Sequence, residues 1–220
     1  MSSPSIVDRL NNFPMPAVFL TARQVERMAA YHQLLVEWNE KMNLVSRKSI
    51  DRAFDIHFVD SAAIALFGVR YGKAPYYDLG TGAGFPGLVF SCLFPDSPIT
   101  LFERSTKKQT FLQEVVKVLE LTQVKIEDEP KDGKKYEGTF FARAVLPDEE
   151  FFDFFAKTLK PGSLVVFNSG LNRELRVEPK GFLKVEEECY ALPNDEGGRR
   201  CQLFLYEGSQ KGSADGNKKP

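Results

Sequence analysis

The chain is poor in the residues that build metal centres and disulfide frameworks. Among 220 residues there are three cysteines and two histidines. Cys92, Cys189 and Cys201 are odd in number and widely spaced, so neither a disulfide scaffold nor a zinc-ligand spacing is present. The expectation is reduced thiols, no metal and a cytoplasmic location. Charge of one sign is missing as well. Lys and Arg number 29 against 30 Asp and Glu, which leaves −1 and no global basic field. A surface for a polyanion therefore has to be local. No apolar run approaches membrane-spanning length, and "MSSPSIVDRLNNFP" lacks the basic-then-apolar order of a signal peptide. No membrane partner is expected. Internal repeats are absent too.

What is there is enough apolar content, 43%, for one good core with a small appendage. Thr21 opens a helix, with Gln24 three residues later as a capping-box partner. Met28, Tyr31, Leu35, Trp38 and Met42 then recur every three or four residues, and the helix ends near Asn43. A second helix is expected over Ser49 to Phe67. From Pro75 short apolar runs alternate with helical patterns: "YYDLG", "ITLFE", "VKIED", "TFFARA" and "SLVVFN" as strands, with helices from Pro86, over Ser105 to Leu119 and near 148–159. "FLKVEEECY" and "CQLFLY", joined by "NDEGGRR", close the series as an antiparallel edge. This alternation predicts an α/β fold, a mostly parallel seven-stranded sheet with helices on both faces. Residues 1–70 would form an N-terminal helical extension and 71–207 the core. Residues 208–220, "GSQKGSADGNKKP", hold no large apolar side chain and would be a disordered tail.

Residues 78 to 87, "DLGTGAGFPG", satisfy two spacings at once. Gly82, Gly84 and Gly87 fit G-x-G-x-x-G, the dinucleotide fingerprint. Asp78, Gly80, Gly82 and Gly84, with Thr81 between, fit acid-x-G-x-G-x-G. Glu103 ends the next strand about twenty residues on, where an acid can accept from both ribose hydroxyls. These features serve NAD and S-adenosylmethionine alike, and Asp78 separates them. A carboxylate beside a pyrophosphate opposes binding, whereas S-adenosylmethionine presents a sulfonium and an α-ammonium, both positive. A nicotinamide oxidoreductase is thus the weaker reading. The structural alternative is a tight strand-to-helix turn capped by Asp78.

The order "WNEKMNLVS" (38–46), "HFVDS" (57–61), "DLGTGAGFPG", "LFERSTKKQTFL" (101–112), "ARAV" (142–145) and "GGRRCQLFLY" resembles the ribosomal RNA small-subunit methyltransferase G family, also called glucose-inhibited division protein B. That resemblance implies a Rossmann-like class I methyltransferase with an N-terminal helical extension. It implies transfer of the methyl of S-adenosylmethionine to N7 of one guanine in 16S ribosomal RNA, within a small-subunit particle. Carried over by residue, Asp78, Gly80, Thr81, Gly82, Gly84 and Phe85 would hold the cofactor, with Glu103 where the family usually has Asp. Lys107 and Lys108 match its basic pair, and Arg143 matches the arginine of its Ser-Arg-Ala-Phe motif, with Ala142 replacing Ser. The family's acidic motif after the third strand is missing, so Glu127 or Asp128 would meet the adenine amino group. The lysine after the fifth strand is Asn168 here.

N7 of guanine has a free lone pair and no proton, so no general base is required, and alignment of the reactants can carry the catalysis. Arg143, at the carboxyl edge of the sheet, is the catalytic candidate, able to bond guanine O6, a phosphate or the cofactor. Phe85 can stack on a base or pack in the core. Arg104, Lys107 and Lys108 are expected on one helix face as phosphate contacts, with Arg199 and Arg200 in the loop before the last strand as a second set. His57 and Asp60, three apart, can hydrogen-bond each other as a packing pair, or His57 can serve the substrate side. His32 and Trp38 read as structural. The alternatives are a methyltransferase with another RNA or a small-molecule substrate, and a non-catalytic RNA-binding module.

Overall fold

A computed structural model describes residues 5–11, 20–143, 148–173, 175, 179–193 and 197–208. The tail expected at 208–220 lies outside these beyond Gly208, as do residues 144–145 of the "ARAV" stretch. Seven strands form one sheet: β1 (Tyr76–Leu79), β2 (Ile99–Phe102), β3 (Val124–Glu127), β4 (Thr139–Arg143), β5 (Leu164–Gly170), β6 (Phe182–Tyr190) and β7 (Arg199–Tyr206). Their order is β3-β2-β1-β4-β5-β7-β6. Strands β1 to β5 are parallel, and β7 runs antiparallel to both β5 and β6. The strand order reverses at β1, between β1 and β4, the switch point where ligands of open α/β sheets sit.

The helices are α1 (Ile6–Asn11), α2 (Ala22–Met42), α3 (Arg47–Ile50), α4 (Asp60–Tyr71), α5 (Gly87–Leu93), α6 (Thr106–Val118) and α7 (Asp148–Thr158). No helix among the described residues is long and apolar enough to cross a membrane. Period-two alternation sorts the central strands between two apolar layers. Phe141, Val166 and Leu203 face the layer under α2, α4, α5 and α6. Phe140, Val165, Phe167 and Phe204 face a second layer with Phe151, Phe152 and Phe155 of α7.

Helix α2 has the expected capping box: Gln24 N donates to Thr21 Oγ1 and Thr21 N to Gln24 Oε1. It ends on Asn43, whose left-handed φ of 48° turns the chain back. Asn39 Oδ1 accepts from Val45 N at 2.8 Å and fixes that return. The helix expected over Ser49 to Phe67 is instead three pieces: α3, a π-helical segment at Phe54–Val59, and α4 running on to Tyr71. Gly68 does not stop α4, because it is there for close approach. A Cβ at Gly68 would lie 2.2 Å from Phe141 Cε1, so glycine lets α4 lie on β4. The π-helical segment inserts wider i→i+5 turns and resets which side chains face the sheet.

Candidate active site

Strand β1 delivers the chain into the loop Gly80–Pro86, where Gly80, Gly82 and Gly84 have φ of 68°, 61° and 98°. Side chains rarely adopt that region, which accounts for the glycines. Gly87 answers a different need. A Cβ there would lie 2.2 Å from Leu101 Cδ2 and 2.8 Å from Asp78 Oδ2. The absence of a side chain lets α5 start directly against the strands.

Asp78 fills the capping position of the structural alternative. Its carboxylate is 1% exposed and accepts from Gly87 N at 2.8 Å, so it sits beneath the loop and pins the start of α5. Burial pushes its carboxyl up to about 6, opposed by the Gly87 N–H and the charge of Arg143. Asp78 shapes the loop from beneath, and with a pKa of about 6 it is mostly ionised at neutral pH. Glu103 is also buried; its two carboxylate oxygens accept from Gly82 N at 3.0 Å and Ser105 N at 2.9 Å. It ties the loop to the start of α6. Each oxygen keeps a further lone pair for a ligand hydroxyl.

The loop borders a hollow of about 400 Å³ lined by Gly80 to Ala83, Phe85, His57 and Arg143, by Leu44 to Ser46 from the turn after α2, and by Ser49 of α3. Hollows of about 690 and 870 Å³ lie at the helical extension and behind α6, and neither includes a loop residue. The smaller one holds the chemistry. Sequence reasoning missed its outer wall; the signal was present in Asn43, an αL-tolerant residue that ends α2 and carries "LVS" across to the loop. Tyr31 was also missed. From α2 its hydroxyl donates to Ala83 O at 2.5 Å and its ring stacks on Phe85 with centroids 5.3 Å apart.

Arg143 projects from the end of β4 into this hollow. Its Nη1 donates to Asp60 Oδ2 at 3.2 Å, and its Nη2 lies 3.4 Å from His57 Nδ1. Its guanidinium carbon sits 5.7 Å from the Phe85 ring centroid, and the His57 ring stacks on the same Phe85 at 5.0 Å. The direct His57–Asp60 hydrogen bond expected from sequence is thus replaced by a bridge through Arg143. Burial, then the charge of Arg143, lower His57 to about 4, so its imidazole is neutral at physiological pH. Beyond Asp60, the Tyr190 hydroxyl donates to Asp60 Oδ1 at 2.6 Å, and Asn168 Nδ2 donates to the Tyr190 oxygen at 2.8 Å. Burial and then Asp60 push the Tyr190 hydroxyl far above its usual range. Asn168 stands beside Arg143 in the β4–β5 register.

The remaining candidates divide. Arg104 lies before α6, not on its face, and pairs with Glu129 at 3.0 Å; Lys107 is exposed and Lys108 half-buried on the first turn. Arg199 and Arg200 are the first residues of β7 and not a loop. Arg200 Nη2 donates to Leu171 O at 3.2 Å, and Arg200 Nε lies 3.7 Å from Glu187 Oε1. The two acids after the third strand also separate. Asp128 Oδ1 accepts from Gln109 Nε2 at 2.5 Å, whereas Glu127 Oε2 is buried with no partner among the described residues. His32 is half-buried beside Phe58, and Trp38 packs on Phe111 of α6 at 5.7 Å.

The family model described as rRNA small subunit methyltransferase G matches residues 24–193. A curated relative, "Ribosomal RNA small subunit methyltransferase G" of Leuconostoc mesenteroides, is 31% identical over 212 residues, covering 89% of this chain and 87% of that one. Among solved structures, TrmN from Thermus thermophilus superposes with a TM-score of 0.54 at 18% identity. The match covers 68% of this chain and 48%, about half, of TrmN. Precorrin-6y C5,15-methyltransferase from Geobacter metallireducens GS-15 gives 0.50 at 18% identity, covering 67% and 87%. Both share the fold.

Proposed function

The chain belongs to the rRNA small subunit methyltransferase G family, and from that premise we propose that it is an S-adenosylmethionine-dependent methyltransferase of 16S ribosomal RNA, modifying N7 of a guanine in the small subunit. One observation carries the reading. The glycine loop that can hold a cofactor and the His57–Phe85–Arg143 wall that can hold a base border a single hollow. Two reactants meet there without crossing protein.

The residues present fit the cofactor. The backbone of Gly80 to Ala83 lines the hollow, and a Cβ at Gly82 would touch no side chain, so that loop edge is open to a ligand. S-adenosylmethionine, when bound, supplies a methyl on a positive sulfur. Glu103 accepts from its ribose hydroxyls with the lone pairs left over from the loop. Glu127, the acid with a free buried oxygen, accepts from the adenine amino group in preference to Asp128. Phe85, 5% exposed and covered by Tyr31, Phe58 and His57, takes the core-packing role and backs His57 from below, and Arg143, held by Asp60, is the catalytic residue that aligns substrate and cofactor. Its two contacts here use two of five guanidinium N–H groups. Guanine N7 needs no base, so the chain's task is alignment, worth about 7–11 kcal/mol in favourable cases. Lys107 and Lys108 contact phosphates. The extension of residues 1–70 supplies the outer wall and residues 71–207 the sheet. The protein works in the cytoplasm with the small subunit or its precursor particle.

The test pairs calorimetry with transfer. S-adenosylmethionine and its demethylated product should bind and NAD should not. Radiolabel should pass to undermethylated small subunits, with 7-methylguanine found by mass spectrometry. Binding of NAD with neither sulfur compound overturns the cofactor. Cofactor binding with no transfer to ribosomal RNA overturns the substrate and leaves a binding module or another acceptor.

A further inference from the structure

Five side chains from five elements form a chain whose proton directions are set by chemistry. The Asn168 amide nitrogen can only donate, so the Tyr190 oxygen accepts from it and sends its own proton to Asp60 Oδ1. Asp60, 3% exposed, is the acceptor at both ends and takes Arg143 Nη1 on its other oxygen. A guanidinium has no acceptor, so where Arg143 Nη2 meets His57 the Nδ1 atom must be the acceptor. The proton of the neutral imidazole is then on Nε2. That atom is buried and has no partner among the described residues, in a side chain that lines the hollow and is stacked on Phe85. A buried donor without a partner costs about 1–3 kcal/mol unless a ligand satisfies it.

We infer that His57 reads the target base, its Nε2–H donating to O6 of guanine, with Asp60, Tyr190 and Asn168 as the positioning residues that fix its tautomer through Arg143. This rests on the guanine-N7 reading above. The chemistry selects the acceptor. Guanine carries a carbonyl oxygen at position 6, beside N7, whereas adenine carries an amino group there and would set donor against donor. Methylation of N7 makes the base cationic. A neutral N–H can therefore hold O6 through the reaction where an imidazolium would oppose the product charge.

The test compares 16S ribosomal RNA bearing guanine at the modified position with the same RNA bearing 2-aminopurine, which keeps N7 and has hydrogen in place of O6. Each is supplied free and reassembled with ribosomal proteins. The parent chain should prefer guanine by about tenfold or more in kcat/KM, the equivalent of one hydrogen bond. His57→Phe keeps the stack and loses the donor. It should slow transfer to guanine about tenfold more than transfer to 2-aminopurine, and so collapse the preference. His57→Gln, which retains an N–H, should recover part of it. Tyr190→Phe should lower the preference while the affinity for S-adenosylmethionine stays within about twofold, a split that a merely structural role does not produce. His57→Met serves the same comparison if His57→Phe does not fold. Equal slowing on both RNAs, or an undiminished preference in the variants, overturns the inference. Absence of any transfer by the parent chain overturns the guanine-N7 reading itself, and this inference with it.

Discussion

Buried Asp78 and half-buried His57 titrate in the same pH window with opposite effects on stability. Asp78 is raised from its ordinary value of 3.8 to about 6 by burial. Between those values the native state holds a proton that the unfolded chain has lost, so stability falls as pH rises. His57 is lowered from 6.5 to about 4, again by burial first. There the unfolded chain holds the extra proton, so stability rises with pH. Half-buried His32, also lowered by burial, acts in the same direction as His57. Each full proton amounts to about 1.4 kcal/mol per pH unit, so near pH 5 the Asp78 and His57 contributions largely cancel. Urea unfolding from pH 4 to 6.5 should therefore show Asp78→Asn gaining a more positive slope than the parent, and His57→Phe a more negative one. Parallel curves for all three would contradict these protonation states. Gly87 allows a sharper steric test. Its missing Cβ space is filled by Leu101 and by Asp78 Oδ2, so Gly87→Ala should lower unfolding stability by about 1–3 kcal/mol through overpacking. At this scale the sequence offered two readings of Asp78, a charge toward the cofactor and a cap of the turn, and the structure shows the cap. Spacing places an acid next to a loop, but only the fold shows whether it faces the ligand or lies under the backbone. Asn168 was visible as a departure, and its bond to Tyr190 could not be, because 22 residues and a strand crossing separate them.

Strands and their order of appearance were legible because each is a short apolar run bounded by turn residues. "FLKVEEECY" matches β6 residue for residue. What failed was the region between α2 and β1, where helical composition is continuous but the backbone is not: a four-residue helix, a π-helical segment and α4 replace one helix. Periodicity cannot detect a single wider turn, and that turn places His57 and Asp60 on one arginine. The same limit hid the role of α2. Its apolar stripe reads as core packing, yet Tyr31 within it holds the Ala83 carbonyl and stacks on Phe85, so this helix braces the glycine loop. Tyr31→Phe keeps the ring and removes the hydroxyl. It should cost about 1 kcal/mol of stability and weaken S-adenosylmethionine binding in calorimetry, since Ala83 O is left buried without its donor. Thr21→Ala removes the cap at the other end of α2. It should cost a similar amount, about 1 kcal/mol, with cofactor affinity unchanged. The contrast between the two separates bracing of the loop from general loss of helix. Equal effects on affinity would remove α2 from the site.

At the scale of the whole molecule, one apolar cluster decides how the extension and the sheet relate. Leu10, Met28, Tyr31, Leu35 and Phe58 belong to the same buried group as Leu88, Val89, Phe111, Phe141 and Leu203. Ion pairs cross the same line: Arg143 to Asp60, and Arg70 to Glu188 at 2.8 Å, though the latter is exposed and contributes little. A surface of this kind cannot be divided at residue 70 without opening apolar area to water on both sides, at about 25 cal/mol for each Å² exposed. The outer wall of the hollow comes from the extension and the inner wall from the loop, so loss of either removes the site. Heat unfolding of the full chain should accordingly be a single cooperative transition, with far-ultraviolet and near-ultraviolet circular dichroism coincident. A chain beginning at Lys73 should bind a hydrophobic dye, lose its sharp transition and bind no S-adenosylmethionine. Two resolved transitions in the full chain, or a shortened chain that melts cooperatively and retains cofactor, would mean that the sheet and its loop are self-sufficient. The extension would then act only on the substrate. The shared core argues against that, because Phe85, which backs the hollow, is covered by Tyr31 and Phe58 from the extension and is 5% exposed only with them in place.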